Sequence, residues 1–235
     1  MTADRPEEYL QRRWQLPPGA TEVLLVRHGA SAPAAAGRLF PLVDGHGDPP
    51  LSSEGLVQAE RVAERLRRVP VAALFVTTLT RTHQTAAPLA RALAVEPVVL
   101  PELREIFLGD WEGGVFRIKV HEGHPTARRM LEEERWDVIP GAESMEAFGE
   151  RVEAGLRLVV AAAGPDATAV AVVHAGVIAE ACRQATGSRR FAFIAAENGS
   201  ISRLIHGTDG RWAVHSFNET SHLDEIEGEP LSSRW

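Results

Sequence analysis

The sequence predicts an α/β protein, a three-layer α/β/α sandwich with a mostly parallel central sheet and a small cap region, and three observations point to it. An apolar run, Val23-Leu24-Leu25-Val26, ends abruptly in Arg27-His28-Gly29. A second, Val170-Ala171-Val172-Val173, ends in His174-Ala175-Gly176. Between them, stretches with apolar residues at helical spacing alternate with further short apolar runs. Apolar runs without polar alternation read as parallel strands buried on both faces, and ligands of open α/β sheets collect beyond the carboxyl ends of such strands. Two strands therefore deliver two histidines to one edge.

The chain has 235 residues, 44% of them hydrophobic, which suits one large domain with a substantial core. Residues 1–20 form an N-terminal appendage, 21–222 the main domain with a cap at 106–143, and 223–235 an acidic tail. The tail, with Asp224, Glu225, Glu227 and Glu229, is expected to be partly mobile. A net charge of −7 argues against a nucleic-acid partner and requires any phosphate site to be local. No apolar run is long enough to cross a bilayer, so no membrane partner is expected. The one cysteine, Cys182, makes no internal disulfide and no apolar leader precedes the first strand, which together predict a cytoplasmic protein. Cys182 falls on an apolar helix face and is read as a core residue.

In chain order, the polar stretch Glu7-Glu8-Tyr9-Leu10-Gln11-Arg12-Arg13-Trp14, closed by Pro17-Pro18-Gly19, precedes the first strand. Its Leu10 and Trp14 call for cover, on the body of the domain or on a second copy in a homodimer, and the body is the simpler choice. Residues 30–50, rich in Ala, Gly and Pro, are too long for an ordinary connection and predict part of a pocket wall. Ser52 offers an N-cap to a helix carrying Leu56, Ala59, Val62, Ala63 and Leu66 on its covered face. Residues 71–76 read as a strand, and 80–94 as a helix with Arg81 in its first turn and Pro88 inside, where a kink or a shortening is expected. A brief strand at 98–100 leads into an irregular acidic and aromatic stretch, 102–114. Residues 115–141 are polar, with one short helix around Glu132-Glu133-Glu134-Arg135-Trp136, and are placed as a cap. Met145, Phe148, Val152, Leu156 and Val159 mark a long amphipathic helix beginning near Ser144. After the strand at 170–173 come a helix over 175–185 and a hairpin, 201–206 with 212–217, turned at Gly207-Thr208-Asp209-Gly210.

A neutral imidazole is a good nucleophile toward phosphorus, and the phosphohistidine it forms is reactive enough to be hydrolysed or passed on. The phosphoryl group carries about two negative charges, so cations and N–H donors must surround it. Arg27 beside His28, Arg81 and His174 are placed to hold its oxygens, and the free amides at Ala175, where the later helix starts, add to the same anion site. The leaving alkoxide needs a proton, for which Glu105 and Glu112 are the available carboxylates on the irregular stretch.

The order Arg27-His28-Gly29, Thr77-Thr78-Leu79-Thr80-Arg81-Thr82-His83-Gln84-Thr85, Leu103-Arg104-Glu105 with Gly109-Asp110-Trp111-Glu112-Gly113, and His174-Ala175-Gly176 resembles the histidine phosphatase superfamily, also called the phosphoglycerate mutase-like family. The resemblance covers residues 22–217. It implies that His28 is the phosphorylated nucleophile, that Arg27, Arg81 and His174 clamp the phosphate, and that Glu105 is the proton donor that later activates water. Asn198 and Gly199 match a loop that borders the site in many members, and Leu51-Ser52-Ser53-Glu54-Gly55 with Gln58-Ala59 is similar to the family's first-helix entry. Many members continue the first motif with Glu and a hydroxyl residue and place an Asn three positions later, on the phosphate. Here those positions are Ala30, Ser31 and Ala34, so a hydroxyl is kept, which places Ser31 among the phosphate-binding residues, and the amide is missing.

The resemblance implies a phosphomonoesterase that hydrolyses a small phosphorylated metabolite through a phosphohistidine, with no cofactor. Mutase-type phosphoryl transfer is the second reading, weakened because the longer first motif and the larger insertion typical of those mutases are absent. A catalytically retired binding module is the third, opposed by the retention of every one of these cationic residues. Trp111 is read as shaping the pocket floor. His121 and His124 lack further ligands at zinc spacing, so no metal site is expected. His46, His83, His206, His215 and His222 are read as surface or hydrogen-bonding residues, with His46 on the loop closest to substrate. Arg38, Arg117, Lys119, Arg128 and Arg129 are read mainly as a solvated face.

Overall fold

The computed structural model describes Gln11 and residues 13–224. Its first strand is β1 (Thr21–Arg27), followed by a two-residue hairpin, β2 (Leu42–Val43) and β3 (His46–Gly47), within the long segment after His28. Then come α1 (Ser53–Leu66), β4 (Val71–Val76), α2 (Thr80–Leu93) and a short β5 (Val98–Val99). Two 3-10 turns, Pro101–Leu103 and Gly109–Trp111, lead to α3 (Val115–His121) and α4 (Pro125–Glu133). The chain returns to the body with α5 (Met145–Ala163), β6 (Ala167–Val173), α6 (Ala175–Thr186), β7 (Ile201–His206) and β8 (Trp212–Glu219).

The sheet runs β5-β4-β6-β1-β7-β8. The first four strands are mutually parallel, and β7 and β8 add antiparallel strands beyond β1. Successive side chains of a strand point to opposite faces, so an unbroken apolar run supplies two cores at once. Val23, Leu25, Phe75, Ala169 and Ala171 join Phe148, Val152, Leu156 and Val177 under α5 and α6. Leu24, Val26, Leu74, Val170 and Val172 join Val62, Leu66 and Leu89 under α1 and α2. The three-layer α/β/α arrangement is therefore written in the lack of alternation in β1 and β6. Cys182 is fully buried in the first of these cores, and burial pushes its thiol pKa up to about 12.

Local chemistry fixes the helix boundaries. The Ser52 hydroxyl accepts from Gly55 N at 3.2 Å, as expected of an N-cap, and the Ser144 hydroxyl caps α5 in the same way, accepting from Ala147 N at 3.1 Å. The turn of the terminal hairpin closes with Gly207 N on Arg211 O at 2.9 Å. Three expectations need correction. Pro88 does not shorten α2, which continues to Leu93 with the proline buried inside it. The third strand stops at Val99, and Leu100 turns in to bury its side chain. The cap has two helices rather than one, and α4 ends at Glu133, where Glu134 adopts a left-handed conformation, so Arg135 and Trp136 lie outside it.

The cap has its own small core, Trp111, Ala127, Met130 and Ile139, completed by Phe191 from the turns after α6. That second contribution has no counterpart in the sequence reading of 106–143. At the N-terminus, Trp14 stacks on His215 of β8 with ring centroids 4.1 Å apart, so it packs on the body, while Leu10 lies outside the described residues. Of the acidic tail, residues 223–235, only Leu223 and Asp224 are among the described residues. Among the described residues no helix is long and apolar enough to cross a membrane.

One close backbone crossing ties the layers to the strand end. A Cβ on Gly29 would run into the Gly55 carbonyl, and one on Gly55 into the Ala30 carbonyl. Ser52 N and Oγ both donate to Ala30 O, at 2.9 and 3.1 Å. In an ordinary helix Gly→Ala stabilises by up to about 1 kcal/mol. Here Gly55→Ala is expected to destabilise the protein by about 1–3 kcal/mol because backbone must move. Urea unfolding measures this, and a neutral or stabilising result would show that the crossing yields.

Candidate active site

β1 and β6 end in register, Arg27 opposite Val173, so the residues that follow, His28 and His174, emerge side by side. Their rings lie 5.1 Å apart between centroids. The His28 backbone is fixed on both sides: its N–H donates to Val173 O at 3.0 Å and its carbonyl accepts from Asn198 Nδ2 at 2.9 Å. The His28 ring is 6% exposed with the rest of the residue. Nδ1 lies 2.8 Å from Gly29 O, an acceptor, so Nδ1 carries the proton and Nε2 presents a lone pair. Arg81 Nε donates to that Nε2 at 3.2 Å. Burial first, and then the charges of Arg81 and Arg27, hold the His28 pKa well below its ordinary value. A neutral, oriented imidazole results, and a nucleophile toward phosphorus needs that state.

Around it stand donors that lack protein partners. His174, fully buried, has Nε2 3.1 Å from Thr77 Oγ1, while its Nδ1 is unpaired. The Thr82 hydroxyl donates to Leu79 O at 2.8 Å, so the Thr77 hydroxyl is free to donate to His174 Nε2, and in that tautomer Nδ1 holds the proton. Arg27 donates through one terminal nitrogen to Ala196 O at 2.6 Å, and its buried Nε has no partner. Arg81, in the first turn of α2, also donates to Gly47 O at 3.0 Å and faces Asp48 at 3.9 Å. Burial lowers the pKa of both arginines, against the pull of Glu105 on each, and they remain cationic. Buried donors without partners are costly unless a ligand satisfies them.

The two carboxylates left open by the sequence now separate. Glu112 accepts from Gly47 N at 2.6 Å and from Leu108 N at 2.9 Å, so both its oxygens tie backbone segments together. Glu105 lies over the start of α6, accepting from Gly176 N at 3.3 Å and from Ile106 N at 3.1 Å. A Cβ at position 176 would strike Glu105 Oε1, so the glycine makes room for it. Burial pushes the Glu105 pKa up, opposed by those amides and by Arg81 and Arg27. A carboxyl group whose pKa burial raises, set beside the phosphate clamp, suits a proton donor.

Arg27, His28, Arg81, Glu105, Glu112 and Ala175 line one cavity of about 430 Å³, while His174, fully buried, packs beside His28 and is not among the lining residues. Trp111 lines it as expected. Ser31 does not line it. Its hydroxyl accepts from Arg117 at 2.6 Å, and Arg117, which also donates to Ala32 O at 2.9 Å, lines the cavity in its place. The Arg117 charge adds to the positive field at His28, Arg27 and Arg81. Reading Arg117 with the solvated arginines missed this, although Phe116 and Val120 at helical spacing mark the apolar face beside it. His46 also lines the cavity, with its Nε2 buried and unpaired. Asp48 accepts from Thr80 N and Oγ1, at 2.8 and 2.6 Å, and so fixes the helix start that carries Arg81. No local pattern in the sequence announces that contact. His124 caps α4 through Nδ1, which accepts from Thr126 N at 3.2 Å, and its ring sits edge-on to Trp111.

Known proteins share this fold. The family model for the histidine phosphatase superfamily (branch 1) matches residues 23–220. The chain is 30% identical over 209 residues to phosphoglycerate mutase-like protein 4 of Arabidopsis thaliana, covering 87% of each chain. Among solved structures, a mycobacterial glucosyl-3-phosphoglycerate phosphatase superposes with a TM-score of 0.70 at 25% identity, over 86% of this chain and 100% of that one. A phosphoglycerate mutase from Bacillus anthracis has a TM-score of 0.73 at 20% identity, over 88% of this chain and 96% of that one, a likeness of fold. With the family model matched over residues 23–220, the chain belongs to the histidine phosphatase superfamily.

Proposed function

We propose that the protein is a phosphomonoesterase acting through phospho-His28. The observation that carries this is a neutral His28 Nε2 set among buried, unpartnered donors on Arg27 and His174. In the first step Nε2 attacks phosphorus, the P–O ester bond breaks, and Glu105 gives its proton to the leaving oxygen. In the second, water attacks the phosphorus of phospho-His28, Glu105 takes the water's proton, and the P–N bond breaks to release inorganic phosphate. Arg27, Arg81 and His174 hold the phosphoryl oxygens throughout, joined by the amides at Ala175. Arg117, anchored by Ser31, adds a further cation. The likeness to a mycobacterial phosphatase supports hydrolysis. The mutase-like relative keeps phosphoryl transfer between positions of one substrate as the competing reading.

Hydrolysis and transfer are told apart by measuring inorganic phosphate from a phosphoglycerate with and without a bisphosphoglycerate primer. Stoichiometric phosphate without primer is the expected outcome, and isomerisation that depends on primer, with no phosphate, would sink the hydrolase reading. His28→Ala should lower phosphate release from an aryl phosphate by at least about a thousandfold with an unchanged circular dichroism spectrum. Activity near the wild-type rate would remove His28 as nucleophile.

The pH dependence follows from the two perturbed groups. His28 must be neutral, and its lowered pKa keeps it so down to acidic pH; Glu105 must be protonated, and its raised pKa extends that form upward. The kcat/KM profile should therefore fall on the acid side through His28 and on the alkaline side through Glu105. In Glu105→Gln the alkaline limb should disappear, and alkyl esters should lose about 10²–10⁴-fold while 4-nitrophenyl phosphate, whose leaving group needs little protonation, loses far less. Equal losses on both esters would assign the acid elsewhere.

Arg117→Ala should raise KM for a phosphate ester more than Ser31→Ala does, since the serine variant leaves Arg117 its bond to Ala32 O. Steady-state kinetics on the pair checks the order, and a larger effect from Ser31→Ala would restore a direct phosphate contact for that hydroxyl.

A further inference from the structure

The cavity that holds the phosphate end continues under the cap, and its far part is lined by Phe116, Val120, Met130, Leu131, Trp136 and Ile194. These come from α3, α4, the segment after α4 and the turns after α6. The charged side chains of the cavity, Arg27, Arg81, Glu105, Glu112 and Arg117, belong to the other end, where they meet His28, each other or the 31–47 segment. Among the described residues the lining from α4, the segment after it and the turns after α6 carries no charged side chain, and Arg117, on α3, is bonded back to Ser31 and Ala32. Leu131 and Val120 are nonetheless 56% and 41% exposed, apolar surface that the folded chain leaves uncovered. The aromatic wall is braced: Trp136 packs against Phe116 at 5.7 Å and Phe191 at 5.0 Å between centroids.

We infer that the substrate is a phosphate monoester whose organic part is apolar, an aryl or branched alkyl group, seated in this aromatic chamber under the cap. The inference rests on the phosphomonoesterase reading and narrows its substrate class. The occupant is fixed by continuity, because whatever is esterified to a phosphate at His28 must extend into the same cavity. A sugar or a hydroxy acid would bury hydroxyl or carboxylate groups against side chains that offer almost no hydrogen bonds, and such groups resist transfer without partners. An apolar group gains instead, about fourfold in binding per buried methylene. A volume of about 430 Å³ lies within the usual range for sites that enclose a small organic ligand.

The test uses phenyl, 4-ethylphenyl and 4-butylphenyl phosphate, whose leaving groups differ little in acidity, with glycerol 3-phosphate and glucose 6-phosphate as polar comparators. Phosphate release should give a kcat/KM that climbs through the aryl series, by about tenfold or more from phenyl to butylphenyl. The polar esters should fall below all three. Leu131→Asp, at an exposed position, should flatten the series by placing a charge at the chamber wall, and Trp136→Ala should do so by opening it. Because Trp136→Ala also touches the cap core, Leu131→Asp carries the decision if the tryptophan variant fails to fold. A series that is flat or falling in the wild type, with phosphate released from every member, overturns the apolar substrate and leaves the phosphatase reading standing. A slope that persists in Leu131→Asp also overturns the chamber. Release of phosphate from none of the esters removes the phosphatase reading and this one with it.

Discussion

The rest of the site depends on one electrostatic constraint: His28 is buried beside two arginines, so its imidazole cannot afford a positive charge of its own. Burial is the largest cause of its lowered pKa, and the neighbouring guanidinium groups reinforce the effect while remaining available to a dianion. The Nδ1 bond to Gly29 O then chooses the tautomer within a single residue of the ring, so the lone pair faces Arg81 without help from any distant element. The fold contributes what that local geometry cannot, namely the register of β1 and β6 that sets a second histidine beside the first. This histidine-dependent phosphatase therefore concentrates positive charge in a protein whose net charge is −7, and it does so at the ends of apolar strands where water is excluded.

Much of this was legible in the sequence, and the reason is local. Uninterrupted apolar runs state that β1 and β6 are covered on both faces, Ser52 and Ser144 state where helices begin, and the residues directly after the strands state which edge is functional. Arg27, His28, Arg81, Glu105 and Ala175 meet at one cavity for that reason, with His174 packed beside His28. What escaped is set by tertiary contact. Asp48 matters because Thr80 lies against it, and Glu112 becomes a brace because two backbone amides converge on it. Ser31 keeps its hydroxyl next to the motif, but the partner it finds is Arg117, far along the chain. The cap was misjudged for a related reason: its polar sequence concealed two short helices whose common core is completed by Phe191 from beyond α6.

The departure at Ala34, where many relatives carry an amide, also takes on physical meaning. A Cβ on Gly114 would meet the Ala34 methyl at 3.2 Å, so the small side chain at 34 lies against the glycine that opens α3. Arg117 follows within the first turn of that helix and bonds back to Ser31 and Ala32. The segment that follows the nucleophile and the cap are thus locked together by a cation at the edge of the phosphate end.

The Thr77 hydroxyl bonded to His174 carries a consequence for the whole turnover. In the tautomer in which that hydroxyl donates to Nε2, His174 is a donor through Nδ1, and burial together with the nearby positive charges opposes uptake of a second proton. In the proposed cycle this leaves Glu105 as the sole carrier of protons: it loses one to the departing alcohol and recovers one from the attacking water. The protonation ledger closes inside each catalytic round, so the enzyme returns to its starting state without exchanging a proton with bulk solvent, and the incoming water molecule alone resets it.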